Sequence, residues 1–181
     1  GLGLKGGLAY GKELLYKVKI PGDETRTSSV KVRFVELPVE EWAKLPNNQK
    51  RKNQITKCAG VSILRAEREI DYGWFFMGDK RKENYDDWWR CEISFSPDLD
   101  EAFGVTHTKQ EIKQTEFMNG ILIPDLEQTA RALNNRVRLK FITLKTIQPI
   151  LHAKELLEKT DVYQPALKNR PKTEVNTEDP E

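Results

Sequence analysis

The stretch DLEQTARALNNRVRLKFITLKTI, residues 125–147, decides the fold. Leu126, Ala130, Leu133, Val137, Phe141, Leu144 and Ile147 recur at intervals of three and four. A helix of 3.6 residues per turn collects such positions on one stripe, wide enough to face a core. Pro124 suits a helix entrance, and Asp125 with Gln128 has the spacing of a capping box. Pro149 is expected to kink or end the helix, because its ring removes a donor and crowds the preceding turn. A further segment at 150–160 carries Leu151, Leu156 and Leu157.

Upstream of this helix the apolar period shortens from four to two. In residues 29–36 (SVKVRFVE), Val30, Val32 and Phe34 alternate with Lys31, Arg33 and Val35, the pattern of a half-buried strand. Residues 13–20 (ELLYKVKI) precede it across the turn-rich PGDETRTS, so the two runs predict a hairpin. Residues 59–70 (AGVSILRAEREI) and 88–95 (WWRCEISF) read as two more strands, the second with Trp89, Cys91, Ile93 and Phe95 on one face. Between them lies an aromatic and charged excursion, residues 72–87. A short helix is expected near 39–44, a basic exposed stretch after it, a helical turn at 97–102 and a polar loop from Thr106. The pattern as a whole predicts an α+β fold: a mixed, roughly four-stranded sheet with the long helix on one face. Residues 1–12 read as a flexible glycine-rich leader, 13–161 as the domain, and 162–181, polar and proline-bearing, as a disordered tail.

Composition narrows the function classes. The 181 residues hold 38% apolar side chains, enough for one core, and 32% charged side chains with a net charge of +2. Such a balance describes a mixed-charge surface and is no footprint of a nucleic-acid binder by itself. No apolar run approaches the ~20 residues of a membrane helix, and no secretory leader opens the chain. Cys58 and Cys91 are too few and too isolated for a disulfide framework or zinc site. They read as reduced, buried thiols, and together these points predict a cytoplasmic location with no membrane contact. His107 and His152 have no partner at ligand spacing, so no protein-held metal is expected. No nucleophile elbow and no Walker-type loop occurs. Asp98, Asp100 and Glu101 read as a turn after a strand, in preference to an acid–base pair.

Three segments carry the chemistry that remains: GVSILRAEREI (60–70), WWRCEISFSPDLDEAFGV (88–105) and THTKQEI (106–112). Arg65 and Arg68, three apart in a continuous strand, are expected to face opposite sides. Thr106, Thr108, Lys109 and Gln110 crowd hydroxyl, amide and ammonium donors into one loop, and an ammonium there can neutralise a terminal phosphate as a point charge. In order and spacing this set resembles the transducer domain of the GHKL ATPases, the group of gyrase B, MutL, topoisomerase VI B, the heat-shock chaperone and the MORC proteins. It is most similar to the bacterial MORC-like ATP-binding proteins. RAEREI resembles the strand before the family's crossover, and THTKQEI resembles its lysine loop.

The resemblance spans roughly residues 28–147. It implies a ribosomal protein S-five domain-two-like fold, and it implies that Lys109, supported by Thr108 and Gln110, reaches the γ-phosphate of ATP. ATP and magnesium would then be held by a separate N-terminal nucleotide-binding domain, and a homodimer is a possible partner arrangement. Two departures accompany it. Glu67 stands where the family pattern has glycine. The magnesium-binding Glu-x-x-x-Asn helix and the adenine loop Asp-x-Gly-x-Gly are absent, and GLGLKGG resembles only the lid glycines. This chain is therefore expected to be a fragment, inactive as an ATPase alone.

A reading of another class competes: a non-enzymatic nucleic-acid- or protein-binding module of the same fold. Lys50, Arg51 and Lys52 in QKRKNQITK, with Lys80, Arg81 and Lys82, lie near aromatic clusters in sequence. Cations for phosphates beside rings for stacking would suit DNA.

Overall fold

A computed structural model describes residues 7–106 and 111–161, excepting the side chains of 160 and 161. Five strands, two short helices and one long helix follow in the order β1 (Leu8–Ile20), β2 (Asp23–Glu36), α1 (Val39–Trp42), α2 (Asn47–Lys52), β3 (Gly60–Arg65), β4 (Arg68–Gly73), β5 (Trp89–Phe95) and α3 (Glu116–Asp161). The strands form one mixed sheet in the order β1-β2-β5-β3-β4, with β3 and β5 parallel and the other neighbours antiparallel. The architecture is thus α+β, with one strand more than the sequence pattern predicted.

The extra strand arises inside AGVSILRAEREI. This run folds as a hairpin and not as one strand, with Arg65 and Arg68 opposite each other across its turn. Its two turn residues, Ala66 and Glu67, have φ of 48° and 66°. Both central residues of a primed hairpin turn require positive φ, which is why Asn-Gly normally marks such a turn and Ala-Glu does not. Arg65 and Arg68 are therefore cross-strand neighbours on one face, contrary to the expectation for a continuous strand.

The first hairpin also differs in extent. Its turn is only Pro21-Gly22, with Gly22 at φ 81°, and the polar DETRTS belongs to β2. Polar residues sustain a strand here because backbone pairing to β1 continues through them. β1 itself begins at Leu8, within the stretch read as a leader, and shifts register between Tyr10 and Leu14 around Gly11.

The inner face of the sheet presents Val30, Val32 and Phe34 from β2, Trp89, Cys91, Ile93 and Phe95 from β5, and Val61 and Ile63 from β3. Met118, Leu122, Leu126, Ala130 and Leu133 of α3 complete the same cluster at steps of three and four. Each leucine, isoleucine, valine or methionine among them contributes about 1.5–3 kcal/mol by leaving water. Asp125 does not act as the predicted cap: its carboxylate accepts a hydrogen bond from the Tyr16 hydroxyl at 2.7 Å, which pins α3 to β1. Thr115 begins the helix instead, its Oγ1 accepting from Met118 N at 3.2 Å and donating to Ala102 O at 2.6 Å. Pro124, expected at the helix entrance, lies inside α3, and Pro149 does not end it. Pro124 and Pro149 and the residues four before them, Gly120 and Lys145, are all exposed, so water can satisfy the freed carbonyls.

The chain divides into two compact units, the first through Ile142 and the second from Thr143. The first contains the sheet and the core. In the second, Ile147, Ile150 and Leu151 are each about half exposed. The predicted stripe is therefore buried as far as Val137, while Phe141 and Leu144 are half-buried and Ile147 is not. Among the described residues no helix is long and apolar enough to cross a membrane.

Candidate functional site

The described residues on either side of 107–110 belong to a braced segment. At the end of β3, Arg65 donates from Nε and Nη2 to the two carboxylate oxygens of Asp100, both at 2.7 Å. This two-pronged match of guanidinium to carboxylate fixes direction as well as distance. It holds the turn after β5, where Val105 N donates back to Asp100 O at 2.8 Å. Asp100 thus belongs to an ion pair, while the neighbouring Asp98 and Glu101 have exposed side chains.

Past that turn the chain is closed on itself. Thr106 N donates to Glu111 O at 3.2 Å and Lys113 N to Phe103 O at 3.1 Å. Ile112 N donates to Asp71 Oδ2 on β4 at 2.9 Å. Gly104, at φ 59°, permits this approach, since a Cβ there would lie 2.9 Å from Lys113 O. Thr106 Oγ1 is buried and has no hydrogen-bond partner among the described residues. Thr108, Lys109 and Gln110, the expected phosphate-facing set, lie outside the described residues. What is described is their frame: flanks joined by a backbone hydrogen bond and anchored to β3 and β4. Asp71 was missed in the sequence, where a carboxylate at the end of RAEREID gives no sign that it accepts from a distant amide.

A second constellation lies around α2. Asn47, Lys50, Arg51, Gln54, Ile55, Thr56, Lys57, Asp87 and Trp88 line a half-open cleft of about 550 Å³. Arg90 builds it from beneath. Its guanidinium donates to Gln54 O (3.1 Å) and Ile55 O (2.6 Å) on one wall, and to Asp87 O (2.9 Å) on the other. The side chain is almost wholly buried, and burial lowers its pKa from the ordinary arginine value. Four carbonyl acceptors, including Trp89 O at 2.7 Å, offset part of that desolvation, while Nε is buried without a partner among the described residues.

The six cations picked out from the sequence divide. Lys50 and Arg51 line the cleft. Lys52 is exposed at the end of α2 and is not among the lining residues. Lys82 reaches the cleft's far wall, its Nζ 4.0 Å from Asp87 Oδ1, and Arg81 beside it is exposed. Lys80 belongs to no surface. It is buried, with Nζ 2.8 and 2.7 Å from the two oxygens of Asp86, so it is closed to phosphate. The sequence missed Lys57 and Asp87 as cleft residues, because nothing local indicates that the 84–88 turn meets α2.

Cys91 is fully buried, and burial pushes its thiol well above the ordinary range; Cys58 is half-buried and donates to Gln54 Oε1 at 2.8 Å. No group of three or more His, Cys, Asp or Glu side chains placed to hold a metal occurs among the described residues. The chain matches no family model, no curated protein and no solved structure.

Proposed function

We propose that this chain is the transducer module of a GHKL-type ATPase of the cytoplasm, with Lys109 delivered to the γ-phosphate of ATP held by another domain. The observation that carries the reading is the brace around residues 107–110. A loop that must place one ammonium against a phosphate needs fixed ends, and here Thr106 and Glu111 are paired while Asp71 and the Arg65–Asp100 bridge anchor the flanks. The polar residue types of the loop itself, Thr108, Lys109 and Gln110, supply the donors. Magnesium and the base for the attacking water belong to the nucleotide-binding domain in this scheme. Lys109 stabilises charge developing on the transferred phosphoryl group, and its engagement couples hydrolysis to movement of the sheet. That relay would end on a downstream partner or on a second copy of the chain.

The test is steady-state ATP turnover in the polypeptide that joins this segment to its nucleotide-binding domain. Lys109→Ala is expected to lower kcat by about 10²–10³, the usual effect of removing one preorganised donor to developing charge. Circular dichroism should be unchanged. Turnover equal to that of the parent would remove the role assigned to Lys109. The chain alone is expected to show no turnover.

A further inference from the structure

Between Glu41 and Glu67 the chain contains six cations, Lys44, Lys50, Arg51, Lys52, Lys57 and Arg65, and no carboxylate. The whole molecule, by contrast, has 30 cations against 28 carboxylates. Three of the six, Lys50, Arg51 and Lys57, converge on the cleft beside α2. Elsewhere on the first unit Arg33, Arg65, Arg131, Arg136 and Lys140 are held in ion pairs within 4.0 Å. Among the described residues Lys50, Arg51 and Lys57 form none. Lys82 lies beside the opposite wall but faces the Asp87 carboxylate at 4.0 Å, which leaves Lys50, Arg51 and Lys57 as the unpaired cations of the opening.

We infer that this cleft binds single-stranded nucleic acid, with Lys50, Arg51 and Lys57 tracking its phosphates. The cleft's size favours a strand over a duplex. A volume of about 550 Å³ lies within the range of small-ligand sites and admits a nucleotide or two. A duplex is far too broad to enter it. Base-directed groups are present as well as cations. Asn47 and Gln54 offer amide donors and acceptors, Thr56 a hydroxyl, and Asp87 an acceptor suited to an exocyclic amine. Ile55 and Trp88 give the lining an apolar part, but Trp88 is buried and packed edge-on to Phe141, ring centroids 5.3 Å apart. It is a wall and not an open stacking platform, so contact is expected to depend mainly on phosphates. Arg90 acts as a positioning residue, since its guanidinium clasps both walls and keeps the cations at a fixed separation.

This site is independent of the lysine loop, and its test does not involve ATP. The 181-residue chain is titrated against a fluorescein-labelled dodecathymidylate, with anisotropy read between 50 and 200 mM salt. For single strands log K falls with log salt at about 0.7 per neutralised phosphate, so three engaged cations predict a slope of about −2.1. Lys50→Ala/Lys57→Ala should reduce that slope by about 1.4, and loss of counterion release alone should weaken binding about 25-fold at 0.1 M salt. Both positions are on the surface, and an unchanged melting temperature would verify folding. Lys154→Ala, in the second unit, should change neither quantity. The inference fails if the strand is not retained at 50 mM salt or if the control weakens binding as much as the double variant. It fails also if a duplex of equal length binds better, or if thymidine monophosphate displaces the strand at equal nucleotide concentration.

Discussion

Lys80 shows how a single residue can be misread from its neighbours in sequence. KRK at 80–82 has the look of a solvated charge run, yet only Arg81 and Lys82 are exposed. The Lys80 and Asp86 side chains are about 1% and 0% accessible. The carboxylate also accepts from Glu83 N at 2.7 Å and from Trp89 Nε1 at 3.1 Å, while the ammonium lies 5.1 Å from the Trp74 ring centroid. Two charges can stay in the interior only with such complete pairing. Removing one of them strands the other. Lys80→Ala is therefore expected to cost about 3–5 kcal/mol in urea denaturation. Lys80→Met/Asp86→Asn, which removes both charges and keeps an acceptor for Trp89, should recover most of that loss. Equal damage from the single and double variants would show that packing, and not the stranded charge, dominates. The pairing was not legible because Asp86 is one of several nearby carboxylates, Asp79, Glu83 and Asp87 among them, and no local pattern shows which of them turns inward to Lys80.

At the scale of elements, what the sequence revealed depended on whether a periodic signal or a local exception was in control. The faces of β2, β5 and the core part of α3 follow directly from periods of two and three-to-four, because burial of one face imposes those periods on the residues. The β3–β4 hairpin breaks no such rule, so AGVSILRAEREI gave no warning. Its turn runs through Ala66 and Glu67 in the left-handed region, where a side chain costs about 1–2 kcal/mol per residue. Ala66→Asn/Glu67→Gly should therefore stabilise the protein by about 1–2 kcal/mol, a rise in Tm of at least about 2–4 °C by scanning calorimetry. A fall in Tm would mean that these side chains make contacts worth more than the strain. The same distinction governs the two sites. The hydroxyl, ammonium and amide types of Thr108, Lys109 and Gln110 were visible in the sequence, but the hydrogen bonds of Asp71, Thr106 and Glu111 that flank them depend on chain crossings that no local pattern encodes.

For the molecule as a whole, the division at Ile142 separates two roles within one helix sequence. Periodicity reports which side of a helix is apolar; it does not report whether anything covers that side. The stripe continues without interruption from Leu126 to Ile147, yet the core cluster includes no residue beyond Leu133 of α3. Val137 is the last wholly buried position. Ion pairs secure the helix just past it: Arg136 Nε and Lys140 Nζ reach the Glu36 carboxylate at 2.7 and 2.8 Å, joining α3 to the end of β2. Those contacts all lie within the first unit. A chain ended at Ile142 should consequently keep its fold, with a free energy of unfolding within about 0.5 kcal/mol of the full chain, the range of changes away from buried features. Guanidinium titration followed by tryptophan fluorescence suits the measurement, because Trp42, Trp74, Trp88 and Trp89 all precede the cut. The shortened chain should also retain the dodecathymidylate, since the whole lining of the cleft lies before residue 89. A loss of several kcal/mol would instead make residues from Thr143 onward part of the cooperative unit, and the exposed Ile147, Ile150 and Leu151 would then need a structural role within this chain.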